Sequence, residues 1–462
     1  MNKLNRVNYK IIKEPKLDCT NKPVMLSDET MKQRFQNVIH KMKEKDIDTL
    51  VVYADLEHGS NFEYLTGFLP RFEEALLVVH QSGKSFMLMG NENLNKVSKA
   101  RLNAEAIHVP HFSLPNQPMG KNKSIKELLS HAGIMKDSKV GIAGWKKFTS
   151  VSENNEQLYD VPYFIIKAII DLVGDEKKIS NAINIFIGDG GVRCKNNVNE
   201  IEHYEFGASL ASDCMLKTMN KIDLGISELV LGDTLNAFGQ RNSVVTIAAS
   251  GPRFLNANIY PTDKCIAEGE TISMTVGYKG GLSSRAGYIV NDEQSLPDNC
   301  KDYLDVLVKP YYNAIAVWLE NIHCGMVGKD LYQLIEDVLP KSKYNWTLCP
   351  GHLGADEEWL SSPIYEKSEE QIVSGMIFQT DIIPSLSGYA GTSVESTILV
   401  ADQKLQDEIK NACPEMWARM MQRKEYIENE LNIQLNKDVL PMCSTVAYLR
   451  PFLLNKEKAM SL

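Results

Sequence analysis

The chain has 462 residues, 44% of them hydrophobic and 24% charged, which is too long for one ordinary domain and gives the core-forming content of two or three packed units. Its 50 Lys and Arg against 59 Asp and Glu leave a formal net charge of -9, and the basic residues are scattered, so a nucleic-acid partner is excluded for want of a basic surface. Nine cysteines without a CxxC pair fit reduced thiols, and no apolar run approaches the roughly 18 residues of a membrane span, so the expected protein is soluble, unexported and cytoplasmic.

Residues 1–26 are polar and interrupted by Pro15 and Pro23. They read as an arm that gains order only by packing on something else. Ser27 or Asp28 then caps a helix whose Met31, Phe35, Val38, Ile39 and Met42 recur at helical spacing up to Lys45. The runs DTLVVYAD (48–55), ALLVVH (75–80), KSFMLMG (84–90) and KVGIAGW (139–145) are β-like, and a helix is expected over about 160–173. This gives an α/β unit over 27–185, with INIFIG (183–188) starting the crossover to a second unit. That unit, 195–402, opens on a helix from about Asn199 to Met219 carrying Ile201, Tyr204, Phe206 and Leu210. Strands follow at SVVTIAAS (243–250), TISMTVGY (271–278) and GLSSRAGYIV, the last two joined by a turn at Gly280-Gly281. Helices at about 298–320 and 328–338 precede GHLGADEEW (351–359), MIFQTDIIPS (376–385) and SVESTILV (393–400). Antiparallel strands alternating with helices make this unit α+β. Residues 403–462 form a C-terminal extension.

Six segments in order resemble the pita-bread family of creatinase, aminopeptidase P and prolidase. RFQNVIHKMKEKDIDTLVVYAD with NFEYLTGF (61–68) is similar to that family's N-terminal domain, and NEIEHYEFGASLASD (199–213) to the first helix of its catalytic domain. SGPRFLNANIYPTDKCIAEGE (250–270), GHLG (351–354), MIFQTDIIP and SVESTILV resemble the segments that carry its site. The resemblance covers about 27–400 and implies an α/β creatinase-type domain followed by an α+β pita-bread domain, assembled as a homodimer.

The family holds two metal ions with two hairpin Asp, one His and two Glu. Here no acidic residue lies between Glu270 and Asp292, so both aspartates are absent. Thr275 stands near the first position, and Arg285 or Ala286 near the second. His352, Asp381 and Glu395 stand at the remaining three. His, Asp and Glu form a sensible mononuclear donor set for manganese or zinc, yet a guanidinium at Arg285 repels a cation and neutralises Asp381 and Glu395. No metal is therefore favoured, and if one ion is bound these three hold it. The family's shuttle histidine is replaced by Asn258, since no His occurs between Gly251 and Glu270. By the same resemblance Arg253 and Tyr278 line the cavity with Arg285, and these three with Asn258 are the expected substrate-binding residues.

Three functions follow from this pattern. The first is a hydrolase acting on a C–N bond of a small zwitterionic molecule without a dinuclear site, with His352 as acid or base, Asp381 and Glu395 binding a cationic part or orienting water, and Arg285 binding an anionic part. The second is a Xaa-Pro aminopeptidase or dipeptidase working with one remaining ion. The third is a pseudoenzyme that binds a peptide or metabolite.

Overall fold

The computed structural model describes residues 6–20, 22–117 and 123–462. The chain divides into two compact units, Leu26–Arg193 and Cys194–Leu462, the latter together with the chain before Leu26. Strands are numbered in chain order; β1 (Asn8–Ile11) belongs to the second unit.

The first unit is a six-stranded sheet in the order β5-β4-β3-β2-β6-β7, formed by β2 (Thr49–Ala54), β3 (Ala75–His80), β4 (Ser85–Met89), β5 (Glu105–His108), β6 (Val140–Ala143) and β7 (Ile179–Asn181). β2, β3 and β4 run as an antiparallel meander, while β5, β6 and β7 pair in parallel with their neighbours. Their Val, Ile and Leu are buried on both faces, as expected for a sheet flanked by helices. The helix Asp28–Glu44 is capped by Ser27, whose side chain accepts from the Thr30 amide. The helix Tyr163–Val173 starts after Pro162 and stops at Gly174, which takes a positive φ of 79°. Val51, Val78, Leu88, Ile142, Ile165 and Ile169 meet in the core.

The second unit opens on the helix Val198–Lys221, started by a reciprocal capping box between Asn197 and Glu200. One antiparallel sheet contains β8 (Ile247–Ser250), β9 (Thr271–Tyr278), β10 (Gly281–Tyr288) and β13 (Ser393–Glu395), in the order β13-β10-β9-β8. A second contains β11 (His352–Leu353), β12 (Met376–Gln379), β14 (Thr397–Val400) and β15 (Val439–Pro441), in the order β11-β12-β14-β15. The run SVESTILV, read as one strand, is thus two. It breaks at Ser396, with β13 pairing to β10 and β14 to β12.

The hairpin turn falls at Lys279-Gly280, one residue earlier than the Gly280-Gly281 turn read from sequence, because Gly281 pairs with Tyr278. Gly280 has a φ of 100°, and a Cβ there would lie 2.2 Å from the Tyr204 carbonyl oxygen, so only glycine fits. Residues after 402 are integral to this unit. The helices Gln403–Ala412 and Pro414–Asn429 lead into β15, and β16 (Lys458–Ser461) pairs antiparallel with β1. The N-terminal arm finds its order here, through Glu14 on Arg450 at 3.0 Å, Arg6 on Glu320 at 3.0 Å and Asp18 on Arg423. Among the described residues no helix is long and apolar enough to cross a membrane.

Candidate active site

The seam between the two sheets brings His352, Asp381 and Glu395 together. His352 on β11 pairs with Gln379 on β12, and Asp381 lies two residues beyond Gln379, on the same side of the chain. The Thr380 amide donates to the Ser396 carbonyl at 3.0 Å, which ties the end of β12 to the break between β13 and β14. Glu395 therefore reaches the seam from one sheet while the other two come from its neighbour. One donor atom from each of the three lies within 4.8 Å of the other two, the only such His, Cys, Asp or Glu group among the described residues.

All three side chains are buried, with exposures of 1% for His352, 5% for Asp381 and 6% for Glu395. His352 Nε2 lies 3.8 Å from Asp381 Oδ2 and 3.5 Å from Glu395 Oε1. Its Nδ1 is 3.1 Å from the Leu353 carbonyl, an oxygen that only accepts, so Nδ1 carries the proton and Nε2 offers its lone pair to the acids. Burial holds the imidazole below its usual pKa, against the pull of Asp381. Burial, then the adjacent Glu395, holds Asp381 well above the carboxylate range. Burial and the nearby Glu358 push Glu395 up to about 8, and Arg285 opposes them in part. Without a cation the cluster thus stores protons on its acids beside a neutral imidazole.

This donor set fits one divalent cation. An imidazole nitrogen and two carboxylate oxygens converge, and Glu395 Oε1 is buried with no hydrogen-bond partner. It does not fit two. Ser284 pairs with Thr275 on one side and Glu395 on the other, and strand alternation sets Ser273, Thr275 and Ser284 on the face that carries Glu395. The Thr275 hydroxyl donates to Ser284 Oγ at 2.9 Å. Uncharged hydroxyls on this face leave a second divalent ion without the carboxylates it needs.

Arg285 departs from its expected place. One residue on from Ser284, it points to the opposite face, where its guanidinium is 1% exposed. It donates to the carbonyls of Tyr448, Ser284, Glu395 and Thr445 and to Ser396 Oγ, at 2.7–3.2 Å. Its positive charge reaches Glu395 through the sheet, but its five donors are spent on the far side, so it does not occupy the cation position and anchors no substrate anion. The zwitterionic substrate inferred from Arg285 loses its basis. Tyr278 shares that opposite face; its hydroxyl donates to the Leu235 carbonyl at 2.9 Å and accepts from the Ala237 amide at 3.0 Å. Arg253 bonds Glu228 at 3.0 Å and the Tyr260 and Asn258 carbonyls, and Asn258 is exposed. Arg253 thus belongs to a network around buried Glu228, which also accepts from Ser250 and Thr262.

Two participants escaped the sequence reading. The Trp359 indole stacks on the His352 ring, with centroids 4.1 Å apart and planes 21° apart. Glu358 beside it is half-buried, its pKa raised by burial, and its charge acts on all three donors. The available signal was the aromatic residue ending the acidic run ADEEW directly after GHLG.

A first unit built as a mixed six-stranded sheet and a second whose paired sheets meet at a His, Asp and Glu cluster define the class: the chain has the pita-bread fold of the creatinase, aminopeptidase P and prolidase family. Residues 34–165 match the Creatinase/Prolidase N-terminal domain. Among solved structures, the chain is similar to a Xaa-Pro dipeptidase from Bacillus anthracis at 17% identity and a TM-score of 0.59, covering 81% of this chain and 96% of that one. A prolidase from Thermococcus sibiricus aligns at 18% identity and a TM-score of 0.61, covering 81% and 95%. An X-Pro aminopeptidase from Thermotoga maritima aligns at 16% identity and a TM-score of 0.58, covering 80% and 95%. No curated protein matches the sequence.

Proposed function

We propose that the chain is a hydrolase of a C–N bond in a small molecule or dipeptide, working with a single divalent ion held by His352, Asp381 and Glu395 in place of a dinuclear centre. The observation that carries this reading is the convergence of three buried donors within 4.8 Å, with Arg285 turned to the far face of the sheet. Similarity to structures of Xaa-Pro dipeptidase and prolidase supports the reaction class. An ion held by His352, Asp381 and Glu395 would supply Lewis-acid activation of a water and of a carbonyl. Around it, His352 presents Nε2 and Asp381 and Glu395 balance the charge, while the Glu358 carboxyl adds its charge to all three. Thr275 and Ser284 offer hydroxyls where two more carboxylates would sit.

Metal content by mass spectrometry, on protein purified without chelator, tests the reading together with turnover of Xaa-Pro dipeptides and small amides. About one equivalent is expected, lost in Asp381→Asn, with activity abolished by chelator and restored by manganese or zinc. Turnover unaffected by chelator in metal-free preparations returns the site to the metal-free hydrolase. Ligand binding without turnover in any metal state makes it a binding module instead. A homodimer is a separate proposal that sedimentation velocity decides.

A further inference from the structure

The loop after His352 is pinned at its base. The Leu353 amide donates to the Ser361 carbonyl at 2.7 Å, and the Leu360 amide to the Leu353 carbonyl at 2.9 Å. The Gly280 amide at the hairpin turn donates to the Ala355 carbonyl at 2.7 Å. Asp356 accepts from the Tyr204 hydroxyl at 3.1 Å and pairs with Lys279 at 3.6 Å. From this base the loop lays Trp359 flat over His352. Trp359 stays 40% exposed while the imidazole beneath it is 1% exposed. A large indole is thus left at the surface to cover one ring.

We propose that Trp359 is a positioning residue for His352, one that fixes the plane of the imidazole and favours its cation-loaded form. The Leu353 carbonyl selects the tautomer, and the indole selects the ring plane. Together they leave the Nε2 lone pair aimed at the space shared with Asp381 and Glu395. A cation on Nε2 draws electron density out of the ring, and a ring carrying partial positive charge is attracted to the negative face of an indole, the best aromatic partner for such charge. By reciprocity, whatever strengthens the stack when the ion is bound strengthens the ion's binding. A plain apolar cover supplies packing without this term. The inference deepens the single-ion reading, and its metal measurement rests on that reading.

The experiment uses the full chain as wild type, Trp359→Phe, which keeps an aromatic face, and Trp359→Leu, which keeps only apolar cover. Zinc alone is titrated into chelator-treated protein against a chromophoric competitor. Loss of a group that orients a metal ligand typically costs about 10- to 100-fold in affinity, so Trp359→Leu is expected to fall in that range and Trp359→Phe between it and wild type. In parallel, side-chain 15N spectra of the metal-free proteins at one fixed pH report the His352 tautomer, assigned by the signal missing in His352→Ala. Wild type and Trp359→Phe are expected to show the single Nδ1–H form, and Trp359→Leu a mixture of both. Equal zinc affinity and equal 15N patterns in all three overturn the proposal, as does a Phe variant no better than Leu in both measurements. A wild type that binds no zinc overturns the single-ion reading instead, and the 15N spectra then decide the positioning role alone. If Trp359→Leu does not fold, the Phe variant against wild type decides it: zinc affinity below wild type with the single Nδ1–H form kept supports the aromatic clamp, and wild-type affinity or a mixed tautomer overturns it.

Discussion

Ser284 sits directly across from Glu395 in the pairing of β10 with β13, and Arg285, its chain neighbour, points to the other side of the sheet. A one-residue difference along a strand thus separates a hydroxyl beside the cluster from a guanidinium outside it. The strand position facing Glu395 in consequence carries a hydroxyl and no guanidinium, which suits an acidic site for one metal ion.

Substituting Ser284→Asp adds a carboxyl next to Glu395. Ser284 is half-buried, so in chelator the variant is expected to lose about 1 kcal/mol of stability, the low end of the cost of an unpaired polar group. Manganese or zinc is expected to raise its melting temperature further than it raises that of wild type. Differential scanning fluorimetry with and without metal measures both; an unchanged melt in chelator would place Ser284 away from the cluster.

Replacing Arg285 by Met removes its five hydrogen bonds and leaves the Tyr448 carbonyl without that donor in the core, while the Thr445 carbonyl keeps the Tyr448 amide and Ser396 Oγ and the Ser284 carbonyl keeps Ser393 Oγ. A buried acceptor left without a donor costs about 1–3 kcal/mol, so urea denaturation is expected to show a loss of at least about that size. Zinc affinity of the folded fraction is expected to stay within a few-fold of wild type. A large gain in affinity would mean that the guanidinium does oppose the ion.

The pH dependence of the metal-free protein has a definite sign. Burial pushes Glu395 up to about 8, from the usual carboxylate value near 4.5, and raises Asp381 as well. The folded state then binds protons that the unfolded chain releases, so this contribution is fully present below about pH 4.5 and is lost as pH rises through 8. Melting temperature in chelator should fall across that window, and Glu395→Gln should flatten the fall. With zinc present the trend reverses, because the ion needs the ionised acids.

Asp18 in the N-terminal arm pairs with buried Arg423, and the Asp18 and Cys19 amides donate to Asp213 at 3.1 and 3.0 Å. Arg423 keeps Glu205 at 2.7 Å as a second partner. Asp18→Ala is therefore expected to cost about 1–3 kcal/mol, less than the about 3–5 kcal/mol of a fully broken buried pair. Urea denaturation gives the number, and an effect below 0.5 kcal/mol, roughly the scale of surface changes, would show the arm to be loosely held.

The six segments that carry the family resemblance were legible in the sequence, as were the helix at Asp28–Glu44 and the strands at β2, β3, β4, β9 and β10, because local periodicity and capping set such elements. So was the absence of acids in the hairpin, which is a matter of composition alone. The partner of Thr275 was not. Moving the turn from Gly280-Gly281 to Lys279-Gly280 shifts that partner from Ala286 to Ser284, and the choice follows from Gly280 packing against the Tyr204 carbonyl, a contact 76 positions away in the chain that no local pattern encodes. The break at Ser396, the return of the last residues to hold Arg285, and the stack of Trp359 on His352 are likewise long-range or loop-borne. Sequence alone determined which chemical groups the protein has left at its site. Which of them share a face, and therefore what the site can bind, was decided by register and by contacts between distant segments, whose energies belong to the folded pair and to neither segment by itself.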